Sequence, residues 1–351
     1  MIPVIRTLSQ QLENPLFTTP RDVVLWMGAI QAQDYNMSKW AVGARLASST
    51  ITDVENALAK GEILRTHVLR PTWHLVADED LCWMLNLCKQ KLQAIYASYS
   101  KHLGVDVKKF CTVSNLIEKM LEGNNHLTRQ EIAVKLTISG ITVDASQIIH
   151  FMYLAETEGI VCSGKDKERK QTYALVSERV NKIKKLQKNE SLAMLASKYF
   201  KSHSPASIQD FTWWSGLSSA DSKLAINLID CDLYKQQFGK TLLYIHKSCD
   251  IKTKLSDCAC LLPAFDEYLI SYKDRTAVID EKHQPKAFTK NGIFYPIVMH
   301  NGKIVGNWNK QIKRNCANIE ILAFDHNDKF NSAILEKAKN KYLSFHLFSG
   351  K

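Results

Sequence analysis

No stretch of this 351-residue chain approaches the ~18 consecutive apolar residues that a membrane-crossing helix requires. Residues 1–11 are too short and too polar for a secretory signal, so export is not expected. Also missing are the Gly-x-Gly-x-x-Gly turn of dinucleotide folds, the phosphate loop of nucleotide hydrolases and the His-Glu-x-x-His of zinc peptidases. Nine cysteines are an odd number, which suits reduced thiols in an unexported chain better than a fully paired disulfide framework. Hydrophobic residues make up 45% and charged residues 23%, which excludes intrinsic disorder, collagen-like repeats and a coiled-coil rod.

What the chain does have is positive charge. Lys and Arg number 46 against 35 Asp and Glu, a formal net charge of +11. Such an excess favours an anionic partner, nucleic acid or a membrane surface, although a merely soluble basic protein would show the same total. Nine basic residues fall within 165–188: Lys165, Lys167, Arg169, Lys170, Arg179, Lys182, Lys184, Lys185 and Lys188. Three acidic residues offset them, so this one stretch carries +6 of the +11. No basic amphipathic helix with an exposed apolar face accompanies it, which weakens the membrane option.

Periodicity and capping signals divide the chain. Thr19, Pro20 and Asp22 mark a helix start, with Val23, Val24, Met27 and Ile30 as its apolar face. A second helix is predicted over 52–60, a hairpin over 64–69 and 72–76, and a long helix over 78–102. The pattern repeats with helices at 114–122, from Thr128 with Glu131 three residues on, and at 145–159. Strands at 160–163 and 172–176 close that second unit around a polar tip. A third copy has helices at 190–201, 207–214 and 219–229, then a hairpin over 233–238 and 241–245. Three helices followed by a two-stranded ribbon is the winged-helix arrangement. From about 255 the character changes. Strand-like runs at 268–272, 294–299, 303–308 and 319–323 are interrupted by Asn291-Gly292 and Asn301-Gly302, strong hairpin signals. The expected fold class is therefore α+β: tandem winged-helix (helix-turn-helix) units over 1–105, 106–188 and 189–254. A small C-terminal β-barrel with a final helix at 331–343 completes it, over 255–351.

On the second wing, lysines would rest on phosphate oxygens and give affinity without sequence readout. Lys165, Lys167, Arg169, Lys170, Lys182, Lys184 and Lys185 are the DNA-binding candidates. His246, Cys249, Cys258 and Cys260 form a weak metal-like set, better read as buried thiols, so no metal is expected. Trp213-Trp214 offers a base-stacking platform or core, with core favoured for at least one ring. The segment Gln31-Ala32-Gln33-Asp34-Tyr35 follows an apolar helix. On a continuing helix, residues two apart diverge by ~200°, whereas an irregular turn would let Gln31 and Gln33 point the same way. Capping and surface solvation remain open for them on spacing alone.

At this segment the chain resembles a known family, the AlkZ-like winged-helix DNA glycosylases that unhook alkylation crosslinks. The matching stretches are Gly28-Ala29-Ile30-Gln31-Ala32-Gln33-Asp34-Tyr35 and Leu64-Arg65-Thr66-His67-Val68-Leu69-Arg70-Pro71-Thr72-Trp73-His74. Further on come Val161-Cys162-Ser163-Gly164, Phe211-Thr212-Trp213-Trp214-Ser215-Gly216-Leu217 and Leu262-Pro263-Ala264-Phe265-Asp266-Glu267-Tyr268-Leu269, so nearly the whole chain is covered. The resemblance implies tandem winged helices along a basic concave face with a C-terminal β-barrel. It implies a Gln-x-Gln or Gln-x-Asp motif that carries catalysis and maps here onto Gln31 and Gln33. With Gln at the second position, this sequence is similar to the AlkZ-type branch.

The implied activity is hydrolysis of the N-glycosidic bond of cationic N7- or N3-alkylpurines, extending to interstrand crosslinks. Glutamine is no proton acceptor at neutral pH, but its amide can orient a water. That suffices for a base that is already cationic and departs neutral. No lysine is implicated, so a monofunctional enzyme is expected, with double-stranded DNA carrying alkylated bases as its partner. No cofactor, membrane or obligate protein partner is implied, and a cytoplasmic, nucleoid-associated location is expected. Possible supporting residues are Asp34, which would brace the glutamines or cap a turn, and His67, Arg70 and His74 on the first hairpin. Alternation puts His67 on the face opposite Thr66 and Val68. Asp266 and Tyr268 would cap and pack, or face the groove from a loop. The alternative is a non-catalytic winged-helix DNA-binding protein such as a transcription regulator.

Overall fold

The computed structural model describes residues 1–168, 170–180, 183–313, 316–325 and 331–347. Arg169 and Lys182 of the basic stretch lie outside the described residues. The chain forms two compact units, Asn56–Ser191 on the one hand and Met1–Glu55 with Leu192–Lys351 on the other.

In the unit Asn56–Ser191, Asp106 accepts from the backbone N–H of Lys109 and starts the helix Val107–Leu121, upstream of the start expected at 114. Thr128 and Glu131 form the expected reciprocal box before Arg129–Ile138, and Asp144 with Gln147 does the same for Ala145–Thr157. Strands Val161–Ser163 and Leu127–Thr128 flank the central strand Thr172–Leu175 in an antiparallel sheet. Val113, Ile117, Ile132, Leu136, Phe151 and Met152 fill the space between helices and sheet. Replacing Thr128 by alanine removes an acceptor for the Glu131 N–H and a partner of its carboxylate. The expected loss is about 1 kcal/mol, read as a lower urea midpoint for this unit at unchanged slope.

The same unit contains the antiparallel hairpin Ile63–Val68 with Thr72–Ala77, paired from Ile63–Ala77 to Val68–Thr72, followed by the long helix Asp78–His102. Every residue of Ile63–Val68 is buried, on both faces.

In the other unit, Thr19 caps Pro20–Met27 as expected, and Gly28 ends that helix at φ +78°. Two helices were not anticipated, Ile2–Ser9 and Tyr35–Gly43, nor was the short strand Ile30–Gln31 between them. Ser207 and Asp210 box the start of Ile208–Ser215, which precedes Ser219–Leu228 and the hairpin Leu233–Phe238 with Thr241–His246.

The C-terminal part departs most from expectation. Residues 268–272 are not a strand: Asp266 accepts from the Tyr268 N–H and starts the helix Glu267–Ile270. All four helix residues are buried, so no strand-like alternation of exposure exists there. The strand Ala259–Leu262, which was not expected, pairs with Ile297–His300, which pairs with Lys303–Lys313, which pairs with Cys316–Ala323. Among the described residues the two outer strands do not pair, so an open four-stranded sheet stands where a barrel was expected. Asn301 and Gly302 turn the middle pair with φ of +50° and +79°, the left-handed geometry that a two-residue hairpin loop demands. The helix Ser332–Phe345 brings Tyr342 edge-on to Trp40 and Trp308, at 5.1 and 4.8 Å.

Candidate active site

The helix Pro20–Met27 stops one turn short of the glutamines, because Gly28 adopts a left-handed conformation that breaks the hydrogen-bond ladder. The chain then runs extended through Ile30–Gln31. Ala29, Ile30 and Ala32 are fully buried, Gln31 keeps 5% exposure, and Gln33 and Asp34 are exposed. Two primary amides therefore flank a small buried residue, one nearly buried and one exposed, each able to donate and accept.

The anchor of this strand is distant in sequence. The Gln31 N–H donates to Glu267 Oε1 at 2.6 Å. The other oxygen of Glu267 accepts from Trp214 Nε1–H at 3.1 Å and from the Ser271 hydroxyl, with His203 Nε2 at 3.7 Å. Burial alone would raise the Glu267 carboxyl. Hydrogen bonds and charge from His203, Ser271 and the Gln31 N–H outweigh it and hold the group at about 2. Burial drives the His203 imidazole below its ordinary value, with Glu267 pulling the other way. Glu267 is positioned in turn by its neighbour: Arg45 grips Asp266 through both terminal nitrogens, at 2.9 and 2.8 Å, and also donates to Gln10 Oε1 at 2.8 Å.

Asp34 accepts from the Met37 N–H at 3.0 Å and so caps Tyr35–Gly43, the turn-capping role. Cations gather at this end of the segment. Lys39 pairs with Glu55 at 2.7 Å and lies 4.6 Å over the Tyr35 ring. Burial lowers the Lys310 ammonium, partly opposed by Asp34. The His346 imidazole is pushed down to about 4 by burial, then by Lys310 and Lys39. Neutral amides beside cations, backed by a buried carboxylate, can orient a water and accommodate an anionic backbone.

A family model described as AlkZ-like, DNA glycosylase AlkZ-like, matches residues 24–345. The chain belongs to this family. It is similar to the interstrand DNA cross-link repair glycosylase of Streptomyces sahachiroi, 22% identical over 322 residues, 86% of this chain and 85% of that protein. The solved structure of Streptomyces sahachiroi DNA glycosylase AlkZ shares its fold, with a TM-score of 0.81 over 100% of this chain and 98% of that one at 18% identity. As an AlkZ-like DNA glycosylase, the protein acts on the N-glycosidic bond and takes DNA as its substrate. Among the described residues no helix is long and apolar enough to cross a membrane.

The other expected site residues of this glycosylase sit variously. His67 is buried and its Nδ1 contacts the Glu156 carboxylate, with the ring 3.8 Å from Trp73 and 4.4 Å from Tyr153. His74 is fully buried and its Nδ1 lies 2.9 Å from the Thr72 carbonyl. Both histidines hold the hairpin core. Arg70 is half-buried at the hairpin turn. Asp266 and Tyr268 face the interior; the Tyr268 hydroxyl donates to the Gly302 carbonyl at 2.8 Å.

Of the basic stretch, Lys165, Lys167, Lys170, Lys184 and Lys185 are exposed. Lys167 pairs with Glu131 at 2.7 Å and Lys184 with Glu79 at 2.5 Å. Arg179 turns inward and donates to the Leu58 and Ala59 carbonyls, which removes it from any phosphate track. Trp214 is core, while Trp213 is 39% exposed and donates to the Ile270 carbonyl. His246 Nδ1 bonds Ser248, and Cys260 donates to the Leu12 carbonyl, so these side chains have other partners. Sequence reasoning missed Arg45, His203 and Glu267. The one signal available was the Asp266-Glu267 pair set between apolar residues.

Proposed function

We propose that this AlkZ-like glycosylase excises cationic N7- and N3-alkylpurines from duplex DNA, with Gln31 and Gln33 orienting the water that attacks C1′. The observation that carries this reading is the pair itself: an exposed Gln33 and a nearly buried Gln31, on a segment freed from its helix and tied down by Glu267. A cationic base leaves neutral and needs no general acid, so two amides are chemically sufficient and a monofunctional hydrolase follows. The curated relative is named for interstrand cross-link repair, and crosslinked duplex is the second substrate we assign. The helix–helix–helix–hairpin units are read as tandem winged helices over 1–105, 106–188 and 189–254, followed by 255–351. Exposed Lys165, Lys170 and Lys185 serve as phosphate contacts on the second wing.

The test is release of base from an N7-methylguanine duplex and a crosslinked duplex by wild type, Gln31→Ala, Gln33→Ala and the double variant. Loss of a water-orienting amide should slow release roughly a hundredfold or more, since donors aimed at a transition state are worth 10²–10³ in rate. Full activity in the double variant would sink the assignment. Affinity for undamaged duplex should fall with salt, log K changing by about −0.9 per phosphate contact per log unit, and removing Lys165, Lys170 and Lys185 together should flatten that slope. An unchanged slope would take the wing off the DNA.

A further inference from the structure

Departure of a base leaves positive charge on the sugar, and two glutamines carry no charge to meet it. Glu267 is a buried ionised group bonded to the motif. Its Oε1 accepts from the Gln31 N–H at 2.6 Å, while its Oε2 is held by Trp214 Nε1–H and the Ser271 hydroxyl. Asp266, the preceding residue, is clamped by Arg45, so the short helix that carries Glu267 cannot drift. Desolvated charges act strongly because little water screens them.

We propose that Glu267 is a positioning residue for base excision: its carboxylate fixes the backbone of Gln31 and supplies the negative charge that the two glutamines lack. The inference rests on the reading that Gln31 and Gln33 orient the water. The donors converging on Glu267 keep the charge in place without reorganisation as the reaction proceeds. Glu267 does not touch DNA, being fully buried, so its effect falls on the chemical step and not on binding.

The isosteric Glu267→Gln keeps an oxygen for the Gln31 N–H and removes the charge. Single-turnover release from an N7-methylguanine duplex should slow roughly ten- to a hundredfold, with affinity for the unmethylated duplex of the same sequence within about twofold of wild type. Glu267→Asp, which keeps the charge one methylene further back, should recover part of the rate. A Gln variant as fast as wild type overturns the proposal, and so do Gln and Asp variants that are equally slow, the result a purely structural role gives. Should Glu267→Gln fail to fold, Ser271→Ala replaces it: one donor is lost, the charge stays, and release should slow several-fold. An unchanged rate there overturns the proposal as well. Gln31→Ala and Gln33→Ala run alongside. If they are inactive while Glu267→Gln is not slowed, only this proposal falls; if they are fully active, the water-orienting reading falls and takes this one with it.

Discussion

Arg45→Met is expected to destabilise the unit that carries the candidate motif by about 3–5 kcal/mol, the cost of removing one partner from a buried ion pair. Both side chains of the Arg45–Asp266 pair have no exposure. Burial opposes the guanidinium charge, yet Asp266 more than offsets it and raises the Arg45 pKa above its ordinary value. Methionine approximates the volume but leaves the Asp266 carboxyl buried without its cation, and strips Gln10 Oε1 and the Ala41 carbonyl of a donor. Thermal or denaturant unfolding of the single variant reads the loss. Asp266→Asn in the same chain removes that carboxyl while keeping an oxygen for the Tyr268 N–H cap, so the double variant should be more stable than Arg45→Met alone. A single-variant loss below about 1 kcal/mol would show the pair to be dispensable. Because Asp266 precedes Glu267, the same variant should also loosen the anchor of Gln31.

This dependence on distant partners explains which features could be read in advance. Thr19 with Asp22, Thr128 with Glu131 and Ser207 with Asp210 each act over three residues, and all three helix starts fell where the local pattern put them. The Asn301-Gly302 turn is equally local. Tyr268 to Tyr272 misled because tyrosine and isoleucine favour strands, a preference overridden once Asp266 capped a turn whose residues are buried on every side. The glutamines themselves came from resemblance, since spacing left them as readily a helix cap as a water site. Their support came from neither. Gln31 meets Glu267 across 236 residues and Arg45 meets Asp266 across 221, and no periodicity marks such pairs. The same holds for His67, named from the sequence only as a possible supporting residue: its partner is a buried carboxylate far along the chain, Glu156.

Acid should expose the Glu267 charge as a stabilising element. A carboxyl whose pKa is lower in the fold than in the unfolded chain adds stability above its unfolded value and loses it as pH falls through the folded one. For Glu267 that window runs from 4.5 down to about 2. That stabilisation is present at neutral pH and withdrawn across that range. Glu267→Gln should therefore unfold at lower denaturant than wild type at pH 7, with the gap closing as the pH drops towards 3. His203 shifts the early part of the curve. Its folded pKa lies below the ordinary 6.5, so both proteins lose stability on the acid side of that value. Glu267 supports the imidazole's proton affinity, and without it the variant loses more between 6.5 and 4.5. The gap should thus widen slightly first and close only below 4.5. Denaturant unfolding of both proteins at half-unit steps from pH 7 to pH 3 measures it. A gap that stays constant throughout would mean that Glu267 is held by its hydrogen bonds alone, with its charge contributing nothing to the fold around Gln31.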